Sequence, residues 1–361
     1  MAWLLVNVDT EEEGLWGATF PTSDWRLEHL AELPRLQAIF DRHGVRPSYQ
    51  VTSPVVQDRR GSGLLQDYLD GGRCDIGAHL HTWSTQPIAL PADRGCSMPC
   101  HLPVELVRRQ LLTLTEQIRS RFGIQPVTYR SGRYGSSAEH TALLTGLGYR
   151  VETSVCPLVD HTRDGGPDYY DAPFEPYWLG GDSMLAAQPN GLLLSVPISA
   201  GFNRRCFESA RRLHRMLSRP PLSKLRTIGI LYRLGLLRLI RLNPEMTSLG
   251  DMIALCDTLA RRRTLVYHLT FHSSDIGVGG TPYVPTIEAR DAFLDRLDGI
   301  LEHLVNHLGA RPVTAREYYD LFRECAARTE PAAGDGFTAR HGGHDSPAEE
   351  SRQFRPSPAT I

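Results

Sequence analysis

The sequence predicts an α/β fold organised around a parallel sheet, and three observations predict it. Short β-prone apolar runs alternate with segments of helical periodicity from the first residues onward, the order that lays helices over a parallel sheet. Several of those runs end directly in Asp9, His79, Arg130 or His272, and the C-terminal ends of such strands are where reactive groups gather. The chain has 361 residues, 41% hydrophobic and 22% charged, enough for one large core and additions to it.

Residues 4–8 are apolar and β-prone, and residues 27–43 carry leucines at helical spacing up to Gly44. Residues 47–51 read as a second strand, 63–69 as a short helix and 74–78 as a third strand. Over 103–122 the apolar positions Val104, Val107, Leu111, Leu114 and Ile118 repeat at three and four, and Gly123 stops the helix. A strand at 126–129, a helix at 138–147 closed by Gly148 and an extended run at 149–153 follow. Later come a helix at 249–261 that Ser248 can cap, a buried strand at 265–271, a long helix at 287–308, a short strand at 312–314 and a final helix at 316–325. Periodicity alone does not separate an open sheet from a barrel.

Two segments stand outside this alternation. The tail at 327–361 is rich in Gly, Pro, Ser and charge and reads as disordered, which leaves 1–326 as the catalytic domain. An insertion at about 204–243 holds eleven Lys and Arg residues from Arg204 to Arg241 against one acid, Glu208. Its second half is apolar with arginines punctuating it. It reads as a helical insertion packed on the domain, its arginines in water. A second reading is a basic amphipathic surface for an anionic membrane or a lipid-linked phosphate.

The formal net charge of -2 gives no general attraction to nucleic acid. The first residues lack the basic start of a signal peptide, and no uninterrupted run is long enough to span a bilayer as a helix. The expected location is cytoplasmic, with peripheral contact at the inner membrane face if the basic surface reading holds. Seven scattered cysteines fit reduced thiols. Cys96, Cys100 and His101 lack further ligands at matching spacing and read as a structural loop.

His79 and His81 are two apart at a strand end, so in extended backbone both face one point. Two neutral imidazoles facing one point suit a divalent transition metal. Asp9 and Glu11 alternate onto one side in the same way. A carboxylate with two histidines is a common catalytic zinc arrangement, and a second carboxylate can take a proton from water. Glu11 is read as the ligand and Asp9 as the base, with the reverse assignment open. Glu12 and Glu13 are expected at the surface. Arg130 and Arg133 flank a Ser-Gly pair after a strand, where a backbone N–H near Arg133 and Tyr134 could face an oxyanion. Arg133, Tyr134 and Trp83 are expected to contact substrate. His272 is placed to be a general acid, and His268, four residues earlier, reads as core.

Five segments in this order resemble the polysaccharide deacetylases with NodB homology (carbohydrate esterase family 4), and within them the WalW-type branch. They run Val8-Asp9-Thr10-Glu11-Glu12-Glu13, Asp75 to Trp83, Tyr129 to Gly135, Gly148 to Ser154 and Leu269 to Ser274. The resemblance implies a distorted (β/α) barrel, a divalent metal, usually Zn2+, and hydrolysis of an acetyl group, typically the N-acetyl of a glycan sugar. It implies Asp9 as base, Arg130 as its orienting partner, Tyr134 as a groove and oxyanion contributor and His272 as acid. The chain departs from the family pattern in three places. Thr10 separates the two acids, Trp83 stands four after His79 where a second histidine is usual so that His81 takes the ligand role, and Glu152 stands where an aspartate is common. The expected activity is removal of an acetyl group from an N-acetylated sugar of a cell-surface polysaccharide, or of its nucleotide- or lipid-linked precursor. Hydrolysis of another C–N amide (formyl or cyclic ureide) and an inactive glycan-binding relative are the alternatives.

Overall fold

The computed structural model describes residues 2–17, 20–189, 191–204, 206–219, 221–222 and 227–329. Its strands are β1 (Trp3–Thr10), β2 (Ser48–Val51), β3 (Asp75–Leu80), β4 (Thr128–Ser131), β5 (Val151–Glu152), β6 (Tyr177–Leu179), β7 (Leu193–Ser195), β8 (Ala200–Phe202), β9 (Leu239–Arg241), β10 (Val266–His272) and β11 (Arg311–Pro312). The main sheet runs β10-β1-β2-β3-β4-β5-β7-β6, with β11 also on β1. All its pairings are parallel except β6 with β7. β1 is buried on both faces, which is why Leu4, Leu5, Val6 and Val8 form a nearly continuous apolar run instead of an alternation.

The sheet curls until its two ends meet. Beyond β7 the Ser199 amide donates to the His268 carbonyl on β10 at 3.1 Å. The His268 ring Nδ1 lies 3.0 Å from the Val196 carbonyl and 3.2 Å from that of Pro197. Carbonyls only accept, so Nδ1 carries the proton. Burial pushes His268 down to about 4, so the ring is a neutral core histidine that closes the seam of a distorted barrel.

Helices cover the outside. Residues 27–43 are not one helix: a 3-10 turn at Glu28–Glu32 precedes α1 (Leu33–Arg42), because Pro34 lacks an N–H and fits only a first helical turn. α2 (Ser53–Gln57) is too short to show a period in the sequence. α3 (Arg59–Asp70) starts earlier than propensity indicates, since Gly61 and Gly63 are poor helix formers. The Asp58 carboxylate caps α3 by accepting from the Gly61 amide at 2.6 Å. α4 (Val104–Phe122) ends at Gly123, whose φ of 68° is left-handed, and α5 (His140–Gly146) follows.

The insertion is not purely helical. It contains α6 (Phe207–Ser218), α7 (Thr227–Arg233) and an antiparallel ribbon of β8 and β9. Phe207 and Ala210 of α6 pack with Phe202 and Leu237 and with Leu158 and Tyr170 in a small core that joins the insertion to the segment before β6. The chain then runs through α8 (Leu249–Arg261), capped by Ser248 as expected, α9 (Ile287–Glu302), and α10 (Ala315–Thr329). The expected tail boundary at 327 thus falls inside α10, and residues 330–361 lie outside the described residues.

Candidate active site

Register brings the candidate residues to one end of the sheet. Asp9 on β1 is level with His272 on β10, and His79 on β3 is level with Arg130 on β4. Glu11 follows one residue beyond the end of β1.

Three ligand atoms converge at the floor of the site. Glu11 Oε2 lies 3.1 Å from His79 Nε2 and 3.1 Å from His81 Nε2, and the two Nε2 atoms are 3.0 Å apart. All three side chains are buried. The opposite ring nitrogens are engaged: His79 Nδ1 lies 3.2 Å from the Arg130 carbonyl and His81 Nδ1 lies 3.3 Å from Glu12. Donors at both Nδ1 positions leave lone pairs on both Nε2 atoms, aimed at each other and at a carboxylate. That arrangement is repulsive unless a cation lies between them. Burial pulls His81 down, but Glu12 and Glu11 outweigh it and push it up to about 9, the mark of a site rich in negative charge. Spacings of about 3 Å also suit three ligands at ordinary metal bond lengths of roughly 2.0–2.2 Å. The set fits a divalent metal, with Glu11 rather than Asp9 in the cluster.

Asp9 is turned to a different task. Its Oδ2 accepts from Arg130 Nε at 3.1 Å and lies 3.0 Å from Arg130 Nη2. Arg130 is itself fully buried and further held by the Thr270 hydroxyl at 3.0 Å and the Thr153 carbonyl. Asp9 Oδ1 is buried with no hydrogen-bond partner among the described residues. His272 Nε2 stands 3.9 Å from both Asp9 Oδ2 and Glu11 Oε1, close enough that one reacting atom beside them can lie about 3 Å from each. The His272 side chain is 20% exposed against 5% or less for its neighbours, so the site opens on the His272 side.

Several expectations need correction. Trp83 does not face substrate: it is 1% exposed, stacked on the His81 ring at 4.1 Å and on Phe20 at 4.3 Å, and so fixes the plane of a ligand. Glu12 and Glu13 are not at the surface. Glu12 is fully buried, accepts the Thr52 hydroxyl at 2.8 Å and orients His81. Glu13 binds His29 and Arg26, and these contacts outweigh its burial and hold it at about 2. His29 continues to the Ser273 hydroxyl at 2.9 Å, and that hydroxyl accepts from the Glu11 amide at 3.3 Å. Arg133 hydrogen-bonds Ser97 at 2.5 Å and lies over the Phe20 ring. Tyr134 lies beneath the Arg130 guanidinium, 5.0 Å from it, and stacks on His161 at 5.1 Å. Both Arg133 and Tyr134 adopt left-handed φ values, 52° and 60°, costly for non-glycine residues and typical of functional turns. Glu152 is buried and accepts from the Ser154 amide at 2.9 Å, and burial pushes it up.

The sequence reading missed Glu245 and gave Asp275 no role. Glu245 accepts the His272 amide at 3.1 Å and lies 2.9 Å from His272 Nδ1. Burial alone would lower His272, but Glu245 and then Glu11 push it well above the usual range. Burial and the charge of Glu245 push Asp275 up, and its carboxyl accepts the Thr281 hydroxyl at 2.5 Å. Glu245, His272 and Asp275 form a second group of possible cation ligands. Within it Glu245 and His272 hold each other's charge, 2.9 Å apart, the carboxyl pushed down and the imidazole up. Trp16 meets the His272 ring edge-on at 5.7 Å and Tyr283 at 6.0 Å. It lines an open cleft with Gly14, Gly280 and Thr281.

Neither a protein-family model nor a curated relative matches the chain by sequence. Solved structures do match. A protein described as a glycoside hydrolase/deacetylase from Parabacteroides distasonis superposes with a TM-score of 0.59 at 13% identity, over 90% of this chain and 72% of that one. A protein described as a polysaccharide deacetylase from Mycobacterium smegmatis gives 0.51 at 14% identity, over 87% of this chain and 85% of that one. These likenesses show the fold, a curled α/β barrel shared with those two proteins. A fold hosts more than one chemistry, so activity rests on the site.

Proposed function

We propose that this chain is a metal-dependent hydrolase that removes an acetyl group from an N-acetylated sugar. The observation that carries the reading is the convergence of Glu11, His79 and His81 on one point, with His272 Nε2 3.9 Å from Glu11 Oε1 and from Asp9 Oδ2 and with Asp9 Oδ1 left without a partner among the described residues. A divalent metal held by Glu11, His79 and His81 would polarise the acyl oxygen and acidify a water. Asp9 Oδ1 takes the proton of the attacking water while Arg130 fixes the other oxygen. The water oxygen bonds to the acyl carbon, the C–N bond breaks, and His272 Nε2 protonates the leaving nitrogen. Acetate and an amine result. Glu245 keeps His272 protonated for that step. Trp16 and the glycine-lined cleft beside His272 offer an aromatic wall and close backbone approach for a sugar ring.

The test is metal content followed by acetate release from an N-acetylhexosamine panel, with and without chelator. About one Zn2+ per chain is expected from a single three-ligand site, with release abolished by chelator. Formate in place of acetate from N-formyl sugars would move the reading to a deformylase. A metal-loaded chain that turns over neither would be a binding relative.

We also propose that the insertion rests on an anionic bilayer at the cytoplasmic face. One side of α6 presents Arg212, Leu213 and Met216 to solvent, opposite its buried Phe207, Ala210 and Leu217, and Arg219 is exposed just past its end. Ile230, Tyr232, Leu234 and Leu236 are also exposed. Arginines beside exposed apolar side chains match an acidic headgroup layer. No helix among the described residues is long and apolar enough to cross a membrane. Co-sedimentation with vesicles containing phosphatidylserine, and none with neutral vesicles, is the expected result; equal recovery with both would overturn it.

A further inference from the structure

Arg241 differs from the other arginines of the insertion. Arg211 and Arg215 pair with Asp171, and Arg238 pairs with Asp251 at 2.8 Å. Arg241 is half-buried, yet among the described residues no carboxylate lies within ion-pair distance of it. Its Nη2 rests 3.2 Å from the Met246 sulfur, a weak acceptor.

Its place in the chain puts it at the site. Arg241 ends β9, and the next residue, Leu242, accepts from the Thr270 amide at 3.2 Å. Thr270 is the residue whose hydroxyl holds Arg130. Three residues after Leu242, Glu245 grips His272. Arg241 thus lies against the last residues of β10; burial works against its charge, but Cys156, to which it also hydrogen-bonds, Tyr134 and Glu245 outweigh burial and push it up. Glu245 is occupied by His272, so it does not serve as the counter-ion.

The surroundings of Tyr134 are likewise short of free negative charge. His161 stacks on Tyr134 with its ring nearly parallel, at 15°, and its Nε2 is buried without a partner. Burial and then the charge of Arg241 push His161 down to about 4, so this ring is neutral and able to donate one hydrogen bond. Arg133, on the other side, has a hydroxyl partner and no carboxylate partner among the described residues. The acids nearby are engaged: Asp164 with Arg94 at 3.0 Å, and Asp160 with the Thr162 amide at 2.8 Å. A half-buried guanidinium without an anion bears a desolvation cost that a bound anion removes. The wall around Trp16, by contrast, is aromatic and glycine-rich.

We propose that Arg241 binds an anionic group of the substrate, a carboxylate or a phosphate, on the Tyr134 side of the bond being cleaved. This rests on the hydrolase reading and narrows it to acidic or phosphate-linked N-acetylated sugars. A guanidinium suits either anion through two parallel hydrogen bonds.

The test uses the full, zinc-loaded chain as wild type, Arg241→Gln and Arg241→Lys. Acetate release is measured from a neutral N-acetylhexosamine glycoside, the matching uronic acid and the matching 1-phosphate. Binding of glucuronate, glucose 1-phosphate and glucose is measured by calorimetry. Wild type should have a lower KM for at least one anionic substrate than for the neutral one. Arg241→Gln should raise that KM by about 10- to 100-fold, the scale of a hydrogen bond to a charged group, and leave kcat and the neutral KM nearly unchanged. Arg241→Lys, which keeps the charge and loses the planar fork, should fall between. Which of the two anions responds separates a uronic acid from a phosphate-linked sugar. Equal losses on neutral and anionic substrates, or no wild-type preference, would overturn the proposal. If no substrate is turned over, the hydrolase reading fails, and calorimetry still decides Arg241: anion binding lost in Arg241→Gln supports it, and binding absent or unchanged sinks it.

Discussion

The floor of the site and the outer face of the insertion handle charge in opposite ways. At the floor, Asp9, Glu11, Glu12, His79, His81 and Arg130 are all buried, and nearly every polar atom has a stated partner. On the insertion, Arg212 and Met216 share an exposed helix face and Arg219 is exposed just past its end, with no ion pair to either arginine among the described residues. A buried charge persists only when it is balanced, so a gap in that balance marks a place for something else. An exposed arginine costs little when left unpaired. It speaks of a partner only when apolar side chains lie beside it.

The difference predicts steep effects at the floor and shallow ones outside. His79→Ala or His81→Ala should lose the metal and, with it, all measurable turnover; a fully loaded His81→Ala chain would remove His81 from the ligand set. Asp9→Asn should keep about one metal per chain and lower kcat/KM by roughly 10²–10⁴-fold, the usual worth of a general base. Loss of metal in that variant would instead exchange the roles of Asp9 and Glu11. Trp83→Leu removes the surface that orients His81 and should weaken zinc affinity by about 10- to 100-fold, as for other groups that position a ligand. A competition titration with a chelating dye reads this, and unchanged affinity would make Trp83 mere filling.

Glu245→Gln is milder and has a sign. Glu245 raises His272, so its removal lets the imidazolium lose its proton at lower pH. The acid form is the one that protonates the leaving nitrogen, so the alkaline limb of kcat/KM should move down by about one pH unit or more. A limb that stays in place would assign the acid elsewhere. Smallest of all, Arg219→Ser should weaken binding to phosphatidylserine vesicles about fivefold, near 1 kcal/mol for one basic side chain at a charged surface. Its thermal midpoint should not change, and a drop in Tm would show that Arg219 supports the fold.

Legibility in the sequence followed the range of the interactions. Asp9 with Glu11, and His79 with His81, could be read because strand geometry makes a spacing of two a statement about direction. Ser248 could be read because a cap acts three residues away. Glu12 and Glu13 were misread because acids at a strand end are ordinarily solvated, and their partners Thr52 and His29 lie on distant segments. Trp83 was misassigned from its proximity to the histidines; nothing local shows that its ring lies behind His81. Glu245 gave no signal, since it reaches His272 only through the return of the chain beside β10. The two- and three-residue strands β5 to β9 are too short to carry a period, so the closing of the barrel could not be read from pattern.

The insertion leaves and re-enters the barrel through a neck. Ser199 on the way out and Leu242 on the way back bond to each other and to β10 on either side of Leu269. Because the two ends are pinned together, the length of chain between them matters little to the barrel: closing a longer loop adds only a slowly growing entropy cost. The length of the stretch beyond the neck is therefore weakly constrained, although Arg211 and Arg215 tie it to Asp171, while the neck itself, which carries Arg241 and leads to Glu245, is fixed by the chemistry it borders.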